Sequence, residues 1–233
     1  MNNYQNLFFD YGGTLDTGGI HWADFLWQEY QQHHVPVTQE AFYQSYVRTE
    51  RYLGQHDVIH PEHTFRETLS IKVQMQLHVL ISEGLLDTKD DNDIANRIVA
   101  SSYQRVLAVL EHSRPILQSL SKNHTLVLVS NFYGNLNTVL REFHLDTYFK
   151  DVVESAAVGI RKPDSAIYQL ALRRNHLRPE DTLVIGDSLK NDILPAHSLG
   201  IHTVWLAPSA TDIPSEVNYH IADLKEMLMF NYS

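Results

Sequence analysis

Several short stretches of this chain put residues able to handle a phosphoryl group or a metal ion directly behind apolar runs. The first is Leu7-Phe8-Phe9-Asp10-Tyr11-Gly12-Gly13-Thr14-Leu15, where a carboxylate follows an apolar run and precedes two glycines. A buried parallel strand stops in this way at its carboxyl end, and ligands of open α/β sheets bind along that edge. A carboxylate placed there can attack phosphorus or hold a cation, and glycine lets backbone groups approach the same ligand. Asp10 is therefore the candidate nucleophile. Taken alone, an aspartate followed by Gly-Gly-Thr is equally well explained by an ordinary strand-ending turn.

Three later stretches change that balance. Leu126-Val127-Leu128-Val129-Ser130-Asn131 is a second apolar run, ending in a hydroxyl and an amide that can donate to an anion. Arg161-Lys162-Pro163-Asp164 sets a fixed cation ahead of a helix that Pro163 can start. Thr182-Leu183-Val184-Ile185-Gly186-Asp187 is a third run, ending in Gly-Asp, with Asp192 five residues further on. Two carboxylates ~4 Å apart repel by about 4 kcal/mol at an effective dielectric near 20, so a cluster built on Asp10 and Asp187 needs Lys162 or a divalent ion beside it.

In chain order, Asp-x-x-Gly-Thr, Ser-Asn, Lys-Pro and Gly-Asp-x4-Asp resemble the haloacid dehalogenase (HAD)-like hydrolase superfamily, and the resemblance spans nearly the whole chain. It implies an α/β fold: a Rossmann-like, doubly wound parallel sheet with an inserted α-helical cap. It also implies hydrolysis through an aspartyl intermediate, a Mg2+ cofactor and a small phosphorylated metabolite as substrate. Carried over position by position, it makes Asp10, Ser130 and Lys162 catalytic. Thr14, Ser130, Asn131 and Lys162 would bind phosphate, with Thr14 also bracing its loop. Asp10, the carbonyl of Gly12 and Asp187 would hold the metal. Asp192 would stand behind them, ordering a metal-bound water or pairing with Lys162.

One departure matters. The phosphatases of this superfamily resemble Asp-x-Asp-x-Thr, whereas the third position here is Gly12. The missing aspartate would be the acid that protonates the leaving alcohol and the base that activates water. A positioned acid/base contributes about 10²–10⁴-fold, or roughly 3–5 kcal/mol of barrier, while positioning and electrostatics carry much of the rest. Acyl phosphates, whose leaving group needs no proton, should suffer least, and alkyl phosphates should be poor substrates. Asp16 and Tyr11 are the nearby groups that could substitute. Asp16 reads as a turn or capping residue, and strand alternation turns Tyr11 away from Asp10.

Stepping outward, the 233 residues allow one α/β core with a smaller insertion, and 43% apolar content supplies that core. Residues 1–16 and 112–233 read as the core and 17–111 as the cap. A net charge of -10 argues against a nucleic-acid partner. The absence of cysteine removes disulfides and thiol chemistry. With no stretch of ~20 apolar residues and no signal-like start, a cytoplasmic protein without membrane contact is expected. The sequence leaves the oligomeric state open.

The cap pattern predicts helices over 21–33, 38–53, 61–83 and 90–110. Ile71, Val73, Met75, Leu77 and Val79 alternate as a strand would. Phe65, Leu69, Val73, Leu77 and Leu80 also fit helical spacing, and helix is the favoured reading. The core pattern predicts helices over 114–120, 136–143, 165–175, 191–199 and 223–230, with strands near Val152, Val184 and 203–206.

His56, His60 and His63 read as surface or packing residues rather than a zinc site, because Pro61 interrupts any helix through them. Two other functions compete with phosphate hydrolysis. One lies within the superfamily: dehalogenation, against which Asp187 argues, or phosphonate cleavage, for which the cap offers only Lys72 and Lys89. The other is a non-catalytic pseudo-phosphatase that binds a phosphorylated ligand or a protein partner.

Overall fold

The computed structural model describes residues 4–230 apart from residue 89, so Lys89 lies outside the described residues. Its core is a six-stranded, all-parallel sheet. The strands are β1 (Asn6–Phe9), β2 (Thr125–Ser130), β3 (Asp151–Glu154), β4 (Thr182–Gly186), β5 (His202–Leu206) and β6 (Tyr219–Ile221). The spatial order is β3-β2-β1-β4-β5-β6, with β1 at the centre. This is the doubly wound Rossmann order, whose switch point falls beside the first strand.

The central strand is buried on both faces, which is why it reads as an unbroken apolar run. Leu7 and Phe9 face one hydrophobic cluster and Phe8 the other. Phe9 lies opposite Leu128 on β2 and Ile185 on β4. Asp10, Ser130 and Asp187 therefore leave the sheet within about two residues of one level, at a single edge.

The inserted helical region contains α1 (Trp22–Gln32), α2 (Gln39–Leu53), α3 (Phe65–Ser82) and α4 (Asp91–Leu120). The ambiguous alternating segment is helical. Phe65, Leu69, Val73, Leu77 and Leu80 are all buried, while Ile71, Met75 and Val79 lie on its half-buried flank. This helix starts four residues later than Pro61 suggests, because Thr64 and Glu67 form a reciprocal capping box.

The larger correction concerns α4. A break is expected between residues 110 and 114, yet one 30-residue helix runs through Pro115. An internal proline costs about 3 kcal/mol. Burying Ile116, Leu117 and Leu120 beyond it contributes up to roughly 1.5–3 kcal/mol each, so continuation wins.

The rest of the core is completed by α5 (Leu136–Glu142), α6 (Ser155–Val158), α7 (Ala166–Asn175) and α8 (Leu194–His197). The expected helix over 191–199 is two pieces: a wide turn over Leu189–Ile193, closed by Ile193 N–H on the Ser188 carbonyl at 3.2 Å, followed by α8. The expected helix over 223–230 is a short, tight 3₁₀ turn, Leu224–Met229. β6 was not anticipated, since Tyr219-His220-Ile221 is short and lacks an apolar run. Among the described residues no helix is long and apolar enough to cross a membrane.

Candidate active site

Asp10 continues β1, its N–H donating to the Ile185 carbonyl at 3.0 Å, and its side chain is buried at the sheet edge. Its Oδ1 accepts from Ser130 Oγ at 2.9 Å and from Lys162 Nζ at 2.6 Å. No described residue donates to its Oδ2, so one oxygen is anchored and the other carries free lone pairs.

Lys162 is the hub. Its ammonium also donates to Asp192 Oδ1 at 2.6 Å and to the Val129 carbonyl at 3.0 Å, which uses all three of its protons. Burial works against this charge, but Asp10 and Asp192 outweigh it and raise its pKa. The strand that ends in Ser130 also fixes the lysine. Asn131 Nδ2 donates to the Lys162 carbonyl at 3.0 Å, and the Lys162 N–H donates to Asn131 Oδ1 at 2.9 Å. The Asn131 amide is thus a clamp on the Lys162 backbone, and it uses one of its two Nδ2 protons to do so.

Asp187 follows β4. Its Oδ1 accepts from Thr14 Oγ1 at 3.1 Å, and its carbonyl accepts from Trp205 Nε1 at 2.7 Å. Asp192 is carried by the wide turn, where its Oδ2 accepts from the Ser188 N–H at 3.0 Å and its Oδ1 from Tyr168 Oη at 3.2 Å. Two glycines make this crowding possible. A Cβ at Gly13, which also has φ +100°, would lie 2.4 Å from Asp187 Oδ1, and a Cβ at Gly186 would lie 2.4 Å from Asp192 Cγ.

Ligand oxygens of Asp10, Asp187 and Asp192 lie within 4.8 Å of one another. Burial raises the Asp10 pKa to about 6 even with Lys162 beside it. Burial, reinforced by Asp192 and Asp10, pushes Asp187 well above the usual carboxylate range. One lysine therefore leaves the cluster electrostatically unbalanced, and a hard divalent cation with a preference for oxygen ligands fits this donor set. Among the described residues no such cluster includes His56, His60 or His63. His60 and His63 pack on each other with ring centroids 5.2 Å apart, and His56 stacks on Tyr52 at 4.0 Å.

Gly12 opens on a cavity of about 120 Å³ between the sheet edge and the helical region. A Cβ on Gly12 would meet Trp22 Cδ1 and Nε1 at 3.6 Å, an ordinary contact distance. Asp16 also lines this cavity. It lies in the turn the sequence suggests, but it is fully buried. Its Oδ1 accepts from the Gly13 N–H at 2.8 Å and its Oδ2 from Trp22 Nε1 at 3.0 Å. Burial lifts its pKa to about 7, against the pull of those two hydrogen bonds. Tyr11 is wholly buried and packs edge-on against Phe132 at 5.7 Å, and among the described residues its hydroxyl has no hydrogen-bond partner.

The structure thus brings together Asp10, Thr14, Ser130, Asn131, Lys162, Asp187 and Asp192, and it places Gly12 beside them. Sequence reasoning missed Tyr168, whose position six residues after Lys162 puts it on the first turn of α7, facing Asp192. It also missed the cavity wall formed by Trp22, Lys72 and Asp16.

A nucleophile-type carboxylate, a buried lysine and an acidic cluster at the edge of a 3-2-1-4-5-6 sheet define a hydrolase of the HAD type. The Haloacid dehalogenase-like hydrolase family model matches residues 37–206, and the chain belongs to this family. It is 25% identical to Haloacid dehalogenase-like hydrolase domain-containing protein 3 of Xenopus laevis over 75% of this chain and 74% of that protein. A shorter match, 32% identical over 36% of this chain and 37% of the other, is to the Glyceraldehyde 3-phosphate phosphatase of Pyrococcus furiosus. Among solved structures, the HAD-hydrolase YfnB from Bacillus subtilis, bound to magnesium, superposes with a TM-score of 0.59 at 23% identity, covering 97% of each chain. A dehalogenase solved with an intermediate complex gives 0.67 at 17% identity over 98% of this chain and 97% of that one.

Proposed function

We propose that the protein is a Mg2+-dependent phosphohydrolase acting on a small phosphorylated metabolite through an aspartyl-phosphate on Asp10. The observation that carries this reading is the asymmetry of Asp10: Oδ1 is held by Ser130 and Lys162, while Oδ2 is left with free lone pairs at the sheet edge. That oxygen attacks phosphorus, the bond to the leaving oxygen breaks, and the phosphoryl group passes to Asp10. Lys162, held beside Asp10, supplies positive charge to the phosphoryl oxygens through space, the backbone at Asn131 donates to them, and Ser130 Oγ does so once it turns from Asp10. Thr14 holds Asp187 in place.

Asp10, the Gly12 carbonyl and Asp187 would hold the magnesium, which when bound supplies positive charge to the phosphoryl oxygens and offsets the carboxylate cluster. Asp192 orients Lys162 from the side opposite Asp10. Gly12 supplies no acid or base, so the intermediate should hydrolyse slowly and accumulate. The relatives named as phosphatases support a phosphorylated substrate.

Incubation with acetyl phosphate and magnesium, followed by intact-mass measurement, tests the reading. A phosphoryl adduct that disappears in Asp10→Asn is the expected result. Absence of both adduct and released phosphate would leave a binding module in place of an enzyme.

A further inference from the structure

The cavity that opens on Gly12 and Asn131 is walled on the helical side by a buried cation. We propose that Lys72 is the specificity residue of this site, and that it reads a carboxylate on the leaving-group side of a short phosphomonoester. The inference rests on the phosphate-binding reading above and names its substrate class.

Lys72 stands on α3 with only 9% of its side chain exposed, and its Nζ lies 2.8 Å from Glu50 Oε1 on α2. The rings of Trp22 and Tyr133 lie with centroids 5.3 Å from Nζ, and that of Tyr46 at 6.0 Å. Glu50 is itself oriented, its Oε2 accepting from Tyr133 Oη at 2.6 Å. An ammonium has three protons to donate, and among the described residues Lys72 has one ion-pair partner, Glu50, whose Oε1 lies close by but without an aligned hydrogen bond. The ammonium otherwise has aromatic rings and the cavity around it. Burial works against this charge, and Glu50 beside it holds the lysine charged.

A structural role explains this poorly. Desolvating both members of a buried ion pair costs several kcal/mol per ion, and well-packed apolar residues at such positions are often as stable or more so. A cation held in an aromatic frame with protons to spare is better explained by an anion that arrives with the ligand. The same charge repels an ammonium-bearing group.

The cavity also sets the size. Its volume of about 120 Å³ is somewhat below the ~150 Å³ of a cavity that takes benzene, enough for a two- or three-carbon unit ending in a carboxylate. Trp22, Phe65, Leu69 and Phe132 line the stretch between Lys72 and the sheet edge, which suits a short carbon stem. Gly12 and Asn131 line the same cavity and adjoin the Asp10 and Ser130 strand ends in the chain, so a phosphate held there would leave its carboxylate-bearing stem on the Lys72 side.

The test compares 2-phosphoglycolate with ethyl phosphate, which have the same chain length and differ by the carboxylate. Calorimetric titration with magnesium present should show the acid binding more tightly to the wild-type protein by on the order of 10- to 100-fold. In Lys72→Met/Glu50→Gln, which removes both charges so that neither is left buried alone, the ratio should fall to within about threefold of one. Lys72→Gln, which keeps a donor to Glu50 without the charge, should lose the preference to the same extent. Equal binding of the two compounds to the wild type, or a preference that survives either substitution, overturns the assignment. Failure of the acetyl phosphate adduct alongside an intact binding preference would sink the proposed catalysis and leave the Lys72 assignment standing.

Discussion

Asp10 and Asp192 share one ammonium: Lys162 Nζ lies 2.6 Å from an oxygen of each, and all three groups are buried. The lysine is thus the counter-charge that lets two carboxylates occupy one dry edge. Replacing it by Lys162→Met should cost about 3–5 kcal/mol, because uncompensated buried charges remain. The expected outcome is a melting temperature lowered by roughly 10 °C and no phosphoryl adduct. Thermal melts and intact mass check both.

Magnesium should stabilise the folded protein. At a concentration about 100 times its Kd, a ligand bound only by the native state adds about 2.7 kcal/mol, or roughly 5–10 °C for a chain of this size. Chelator should reverse the gain. Asp187→Asn should abolish most of it, since it removes a carboxylate that burial, with Asp192 and Asp10 beside it, disfavours as a charge in the absence of a cation. A magnesium-independent melting curve in the wild type would count against the site.

Gly12→Asp restores the carboxylate that the resemblance finds missing. The Cβ would rest 3.6 Å from Trp22, so the substitution is expected to fold. Turnover of simple phosphate esters should rise on the order of 10²-fold, and the phosphoryl adduct should become short-lived. Steady-state phosphate release and quenched-flow mass measurements give the two readings.

Asp16 predicts a pH dependence of stability. Its folded pKa of about 7 stands above the ordinary aspartate value of 3.8, so the folded state holds this proton more tightly than the unfolded chain does. The resulting stability is complete below the ordinary value and is lost as pH rises through about 7, by up to roughly 4 kcal/mol in all. Melts in chelator from about pH 5 to about pH 8 should show the decline, and Asp16→Asn should make it shallower, with the remainder left to Asp10 and Asp187, which burial also raises.

Much of this was legible in sequence because apolar strands that end in reactive residues are written contiguously. Asp10, Ser130 and Asp187 each follow such a run, and parallel pairing then brings them to one level whatever lies between. Lys162 was legible through the proline that follows it. Tyr168, Lys72 and Asp16 were not, because each is recruited through tertiary packing. Tyr168 reaches Asp192 from the first turn of a helix, Lys72 reads only as a cap lysine to weigh for phosphonate cleavage, and Asp16 reads as a turn or capping residue. β6 and the wide turn at 189–193 were missed for a related reason: their geometry is imposed by the sheet edge and by the close fit of Asp192 against Gly186. The break placed before Pro115 gave too much weight to one residue's backbone preference and too little to the apolar face on either side of it.

That uninterrupted α4 has a mechanical consequence. At 1.5 Å per residue its 30 residues form a rod about 45 Å long, clamped at one end among the inserted helices and at the other against the sheet. This crossing between the inserted helices and the sheet is a strut, not a joint. A tilt of those helices against the sheet would have to swing the beam as a whole, with the bending left to the opposite crossing, residues 17–21.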